Sequence, residues 1–351
     1  MANPDSTKQP QGPKIEIDNE SLEYRVAELA FEHGLTAETI AKKLSDEGLA
    51  VNFQRVQRAM LRARSKGILV FNPPLLNEQE ERQRTLAGMF KQKDGSNPKI
   101  QVFNDEIKFD DHDAFYIASA AMMNSCIEHL MELGEGKQEE IIIANAGGPS
   151  LAKMVQNLGK TYVRSLNGKR LLFLSLSAVG KPECFDWSPS YLAVRLSEIY
   201  SARHYAPEDF AHADSKYQEL VSRIDMLVGG IGSGVDGFLC EELRTRKRRV
   251  PPDIAGDLFY LPFHSDGTPA DTEDVRQLLE ELHVHPTFEE FEKLRARKAL
   301  RMVIVPPPPI ESGPKSPPVG HKDPMVRVVL AHGLASHIII PASMATRIVA
   351  N

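Results

Sequence analysis

Cysteine is scarce in this chain. Cys126, Cys184 and Cys240 are the only three in 351 residues, and they form no CxxC pair and no metal-like spacing. A disulfide framework is thereby excluded, and free thiols in a reducing compartment are expected. Long apolar runs are missing as well. None approaches the roughly 18 residues that a membrane helix needs. The longest, "IIIANAGG" and "LLFLSLSAVG", are short, end in small residues and read as buried strands. The opening "MANPDSTKQPQGPK" lacks the apolar core of a signal peptide. A flexible tail over 1–19 of a cytoplasmic protein, with no membrane partner, is the expectation. There is no surplus of positive charge: 42 Lys and Arg face 48 Asp and Glu, a net −6. Wholesale binding to polyanions is excluded, although a local basic patch is not. No internal repeat is found. No GxGxxG stands in a dinucleotide context and no GKS/T follows a Gly-rich loop, so no nucleotide cofactor is expected.

One local absence is informative. The stretch "VNFQRVQRAMLRARSKG", residues 51–67, contains no Asp or Glu but carries Arg55, Arg58, Arg62, Arg64 and Lys66. It follows two helical patterns. The first has Leu22, Val26, Leu29 and Ala30 on one face and stops at Gly34; the second has Ile40 and Leu44 as its buried pair and ends at Gly48. Asn52 is placed to cap a third helix. At 100° per residue, Phe53, Val56, Met60 and Ala63 share one face of that helix. Gln54, Arg55, Arg58, Arg62 and Ser65 share the opposite one. A recognition helix needs this division, with Arg and Gln reaching base edges in the major groove and Arg and Lys neutralising phosphates. Gln54, Arg55, Gln57 and Arg58, in the first turns, are the expected base contacts. Arg62, Arg64 and Lys66 are expected phosphate contacts or caps. A merely solvated basic face would be expected to carry compensating acids one turn away, and here there are none.

Residues 20–72 therefore read as an all-α helix-turn-helix domain, plain or winged, and 73–111 as a charged linker. From 112 to 351 the rhythm changes. "EIIIANAGG", "KRLLFLSLSAVG", "IDMLVGGIGSG", "GDLFYLPFHSDG", "LRMVIVPP" and "SHIIIPAS" are strand-like. Helical patterns such as "SYLAVRLSEIYSA", "EDVRQLLEEL" and "DPMVRVVLAHG" lie between most of them. This alternation predicts an α/β domain: a doubly wound, mostly parallel, Rossmann-like sheet with helices on both faces. "PPPPIESGPKSPPVG", 306–320, is too Pro-rich for helix or sheet interior and must be a loop. "NAGGPSL", Asn145 to Leu151, passes from strand to helix, a geometry that offers backbone N–H groups and a helix N-terminus to an anion, with the Ser150 hydroxyl beside them. "GGIGSG", Gly229 to Gly234, closes another strand. Tight turns use glycine for their own reasons, so each loop alone is a weak signal.

Taken in order, these segments resemble the sugar-binding transcriptional regulators of the SorC type. The resemblance is carried by "TAETIAKKL…VNFQRVQRAMLRARSKGILV", "IIIANAGGPSLAKMV", "LLFLSLSAVG", "IDMLVGGIGSG", "AGDLFYLPFHSDGTP" and "VRVVLAHGLASHIIIPASMATRIV". It implies a helix-turn-helix before an effector domain similar to sugar-phosphate isomerases and glucosamine-phosphate deaminases. It also implies operator DNA and a sugar or sugar-phosphate effector as partners, and assembly as a homo-dimer or homo-tetramer. Gly147, Gly148 and Ser150 would hold the effector's phosphate; Gly230 and Gly232, in the second glycine-rich loop, are further candidate effector-binding residues. Lys322, before the penultimate helix, would reach the ligand. His264 and Asp266, in the turn Phe263–Gly267, would lie beside the pocket.

Three departures stand out. "SDEGLAVN" is longer than the tight turn of the family. Pro149 removes one N–H donor from the phosphate loop. The Pro-rich run is an insertion, expected over the pocket mouth as a lid or subunit contact. A second basic cluster, Arg244 to Arg249, reads as a solvated loop. The competing reading is a sugar-phosphate isomerase or deaminase with an added helical domain. Such chemistry wants a carboxylate or His base beside the sugar. Asp266, Glu241 and His264 can be nominated, but they form no paired constellation, and no catalytic or metal-binding set is expected.

Overall fold

The computed structural model describes residues 15–32, 37–65, 77–90, 98–103, 105, 113–133, 140–158, 170–177, 182–205, 215–235, 237–307 and 320–350. They form two compact units, one within residues 1–74 and one from Leu75 onward.

The first unit contains α1 (Asn19–Glu32), α2 (Ala37–Asp46) and α3 (Phe53–Ser65). Its core is the periodic apolar set expected from the sequence: Leu22, Val26, Leu29, Ile40 and Leu44, joined by Val56 and Ala59 of α3. Asp18 caps α1 by accepting from the Ser21 N–H at 2.9 Å. Asn52 caps α3 as anticipated, accepting from the Arg55 N–H at 2.8 Å. Ile15 to Asp18, within the stretch expected to be a tail, are ordered against the helices. Ile15 pairs with Leu49 in the turn between α2 and α3, through Ile15 N–H to Gly48 O and Ala50 N–H to Ile15 O, both 2.9 Å. This bridge accounts for the long turn "SDEGLAVN", whose extra backbone groups are satisfied by the preceding chain. A wing after α3 would fall outside the described residues.

The second unit runs α4 (Asn77–Met89), β1 (Lys99–Phe103), α5 (Ala114–Leu133), β2 (Glu140–Asn145), α6 (Pro149–Leu158), β3 (Arg170–Ser175), a 3₁₀ turn Pro182–Trp187, α7 (Pro189–Tyr200), β4 (Arg203–Tyr205), α8 (Ser215–Ser222), β5 (Met226–Ser233), α9 (Phe238–Thr245), β6 (Ile254–Leu258), β7 (Leu261–His264), α10 (Glu273–Glu281), α11 (Phe288–Ala296), β8 (Leu300–Ile304), α12 (Asp323–Ala331), β9 (His337–Pro341) and α13 (Ala342–Ala350). Seven strands lie in the order β1-β9-β8-β5-β2-β3-β4, every neighbouring pair parallel. Buried Ile, Leu, Val and Met residues fill the central strands on both faces, as a sheet covered by helices requires. The doubly wound, mostly parallel α/β expectation holds.

Two local expectations fail. "GDLFYLPFHSDG" is not one parallel strand but a hairpin, β6 and β7, which leaves the main sheet antiparallel to β5. Its two-residue loop, Phe259–Tyr260, has φ of 52° and 69°. Hairpin loops of this length demand such angles, normally from Asn and Gly, so no turn signal was visible in two aromatic residues. The stretch 73–111 is not simply a connector either. It holds α4, whose Leu86 is fully buried, and β1, the edge strand paired to β9 from Lys99↔His337 to Phe103↔Pro341. "KIQVF" is too short to announce itself. It becomes a strand because β9 presents an open parallel edge. Among the described residues, no helix is long and apolar enough to cross a membrane.

Candidate functional site

The order of the strands reverses between β2 and β5. From β2 the chain moves outward to β3 and β4; from β5 it moves to β8 and β9 on the other side. Loops leaving the carboxyl ends of two such strands diverge and open a crevice. A cavity of about 500 Å³ lies there, within the usual range of about 300–1,000 Å³ for small-molecule sites.

Gly147, Gly148, Ser150, Gly230, Gly232 and Lys322 line this cavity. His264 and Asp266 do not. They close the turn after β7, where the His264 N–H donates to Thr268 O and Asp266 accepts from the Thr268 N–H (2.9 Å) and Oγ1 (2.7 Å). Those bonds to Thr268 hold the Asp266 carboxyl below its ordinary range. The turn faces His332 and not the cavity, with Gly267 at φ +82° against that ring. Of the three groups nominated for catalysis, only the exposed Glu241 reaches the lining. The Pro-rich insertion contributes Pro306, Pro307 and Gly320 to the wall. Its remainder, and with it the lid or subunit contact expected there, falls outside the described residues.

The anion cradle is altered in detail. The Gly147 N–H donates to Tyr260 Oη at 2.7 Å, and the Gly148 N–H donates to Trp187 O at 2.9 Å. Two donors expected for a phosphate are therefore taken by the protein itself. Pro149, first residue of α6, has none to give. The Ser150 N–H and hydroxyl remain without a protein partner among the described residues. Gly147 is required because a Cβ there would stand 2.6 Å from both Trp187 O and Tyr260 Oη.

Asp257 is the chemical centre of the cavity, and it was missed in the sequence. It lies on β6 opposite Gly232 of β5 and is only 7% exposed. Its Oδ2 is buried with no hydrogen-bond partner among the described residues. Burial pushes its pKa up to about 6, against the opposing charge of Lys322 and the Gly232 backbone. The available signal was an acid inside an apolar strand, "IAGDLFYL", where a buried carboxylate needs a reason. Arg347 of α13 also lines the cavity, clamped by Asp323 of α12 through Nε to Oδ2 at 2.7 Å and Nη2 to Oδ1 at 3.0 Å. This bidentate pair raises the Arg347 pKa. Trp187, Phe238, Phe259 and Tyr260 supply aromatic wall. Among the described residues, no group of three His, Cys, Asp or Glu is placed to hold a metal ion.

In the three-helix unit, α3 departs from the expected division. Arg55 donates to Ala50 O at 2.7 Å, Ile17 O at 2.5 Å and Glu16 Oε2 at 3.2 Å. Arg62 donates through Nε to Glu23 Oε1 at 2.5 Å, and Glu23 is only 1% exposed. The compensating acids missing from the helix come from α1 and the segment before it. Arg55 and Arg62 are thus tethers of the unit. Phe53, expected to be buried, is 45% exposed because Val56, Ala59 and Ala63 already fill the inner face. Gln54, Gln57 and Arg58 are exposed and have no hydrogen-bond or ion-pair partner among the described residues, with Gln54 one turn from Gln57 and Arg58. The Arg64 side chain and Lys66 fall outside the described residues. The second basic cluster is matched by acids: Arg246 pairs with Glu242 and Glu281, and Arg248 with Glu281. Cys126 and Cys240 are buried thiols outside any disulfide, and burial raises the Cys126 thiol to about 12.

No family model and no curated protein matches this sequence. Solved structures do. The chain is similar to the full-length sorbitol operon regulator SorC from Klebsiella pneumoniae, at 16% identity and TM-score 0.52, covering 95% of this chain and all of that one. A DeoR family transcriptional regulator from Listeria monocytogenes is 16% identical over 78% of this chain and all of its own, at TM-score 0.51. A transcriptional regulator from Streptococcus pneumoniae is 12% identical over 78% of this chain and 97% of its own, at TM-score 0.53. At these identities the likeness is one of fold: this chain shares the architecture of sugar-operon regulators.

Proposed function

We propose that this chain is a DNA-binding transcription regulator whose operator affinity is set by a small sugar-class effector in the cavity of the α/β unit. The observation that carries the reading is the combination, along one chain, of two features. One is a helix whose Gln54, Gln57 and Arg58 are exposed on one face and without a partner among the described residues. The other is a cavity at the switch point with Asp257, whose buried Oδ2 has no hydrogen-bond partner among the described residues. Gln suits adenine and Arg suits guanine in the major groove. The cavity reads as a binding site: beside the buried Asp257 its lining holds the exposed Glu241, His321, Lys322 and the Asp323-clamped Arg347, and Asp257 Oδ2 is hydrogen-bonded to none of them. Sugar-operon regulators of the same fold support the assignment of ligand class.

Control follows from linkage. An effector that prefers one assembly state of the protein shifts the population toward it, and with it the affinity for DNA. A homo-dimer or homo-tetramer in the cytoplasm, bound to half-sites about 34 Å apart, is the assembly that suits such a helix. The test is selection of bound fragments from a random duplex library with the full chain, followed by titration with and without sugars. Recovery of a specific sequence whose affinity responds to a sugar supports the reading. Binding no tighter than to bulk DNA, or turnover of sugar phosphates by the protein alone, overturns it.

A further inference from the structure

The cavity combines groups that a phosphate site does not want together. Its arginine is already engaged by an acid. Arg347 is clamped by Asp323 in two hydrogen bonds, and the charge of Lys322 acts on Asp257. Glu241 adds another negative charge at the lining. A dianion entering here would meet an arginine whose hydrogen bonds to Asp323 are already made, and a buried carboxylate that repels it. The backbone argues the same way. The Gly147 and Gly148 N–H groups are taken by Tyr260 Oη and Trp187 O, and residue 149 is proline.

What remains open is an acceptor and a donor. The acceptor is Asp257 Oδ2, without a partner among the described residues. The donor is Ser150, whose Oγ lies 3.9 Å from the ideal Cβ position at Gly230, as Asp257 Oδ2 lies 2.0 Å from that of Gly232. Residues 230 and 232 point to one face of β5 and are about 7 Å apart along the strand. Ser150 and Asp257 therefore flank a glycine floor that carries no side chains. Around this floor the wall is aromatic and proline-rich, with Trp187, Phe259, Pro306 and Pro307.

Resting on the sugar-effector reading above, we infer that the cavity takes an unphosphorylated polyol: a neutral sugar or alditol that donates a hydroxyl to Asp257 Oδ2, accepts from Ser150, and lays its C–H face on the aromatic wall. A neutral ring supplies both hydrogen-bonding senses at once. Its desolvation is cheap beside that of a phosphate, and its apolar face matches the lining.

Trp187 is the only tryptophan in the chain and stands in the cavity wall, so its emission reports occupancy. The experiment titrates the full chain with a panel of neutral aldoses, ketoses and alditols, with the monophosphates of the same compounds, and with inorganic phosphate. Asp257→Asn and Ser150→Ala are measured alongside, and each variant's fold is checked by its melting curve. The expected result is that at least one neutral compound changes the emission with saturation. Its monophosphate should bind at least tenfold more weakly, and inorganic phosphate should not compete. Asp257→Asn, still folded, should weaken the neutral ligand about tenfold, the loss expected for a hydrogen bond to a charged acceptor. A monophosphate binding more tightly than its neutral parent overturns this inference while leaving the sugar-effector reading intact. Binding of neither class overturns both.

Discussion

Asp257 stands directly across the β5–β6 pair from Gly232, and its Oδ2 lies 2.0 Å from where a Cβ on residue 232 would be. The carboxylate occupies the space that glycine leaves. Gly232→Ala should therefore displace Asp257 and fill the cavity floor. Overpacking of this kind costs about 1–3 kcal/mol. The expected outcome is a lowered melting temperature together with loss of the Trp187 response to effector. An unchanged response would show that Asp257 has no part in binding.

The buried carboxyl also predicts a stability that varies with pH. Its folded pKa of about 6 lies above the ordinary 3.8, so the folded chain holds this proton more tightly than the unfolded chain. The favourable contribution is complete below pH 3.8 and is lost as pH rises through 6. At pH 7 the loss amounts to about 3 kcal/mol. Asp257→Asn should therefore stabilise the protein at pH 7 by up to that order, with the advantage vanishing near pH 4. Melting curves at both values check it. A gain in stability joined to a loss of effector affinity is the signature of a residue kept for binding.

Arg58 and Arg62 should separate cleanly. Arg58→Ala removes an unengaged side chain on the outer face of α3. It is expected to weaken operator binding by about tenfold or more, at a cost of 1–3 kcal/mol for a specific contact. The melting temperature should not change. Arg62→Ala leaves the buried Glu23 without that partner. A loss of about 2 kcal/mol in the three-helix unit is expected. DNA affinity, measured where the unit is still folded, should change little. Anisotropy titrations and melts on both variants decide it.

Tyr260→Phe removes only the acceptor of the Gly147 N–H. The donor is left facing the cavity, and stability should fall by about 1 kcal/mol. Because a free donor is then returned to the strand-to-helix loop, inorganic phosphate should quench or shift Trp187 emission in the variant more than in the parent chain. No difference in phosphate response would mean that this N–H never limited anion binding.

Much of the architecture was legible because it rests on local periodicity. Ile40 and Leu44, one turn apart, and the continuous run Ile141–Ile143 each declare a face or a buried strand, and both took the places expected. So did the Asn52 cap and the glycine loop at the carboxyl end of β2, whereas Gly229, Gly230 and Gly232 lie within β5 itself. What failed depended on partners distant in sequence. β1 is a strand because β9 lies beside it. Arg55 and Arg62 looked free because Glu16 and Glu23, more than thirty residues away, bring the acids.

The sequence by itself determined the two-part plan, a helical trio followed by a parallel α/β unit, and the carboxyl-end loops where a ligand would be met. Hydrophobic spacing and chain chirality leave little else available. Only the tertiary structure decided which polar groups in those places remain unsatisfied. It gave the loop N–H groups to Tyr260 and Trp187, turned His264 and Asp266 away, and left Asp257 Oδ2 buried without a hydrogen-bond partner among the described residues. Hydrogen bonds saturate, so a residue's availability to a ligand depends on every neighbour the fold brings to it, and no spacing in the chain records that.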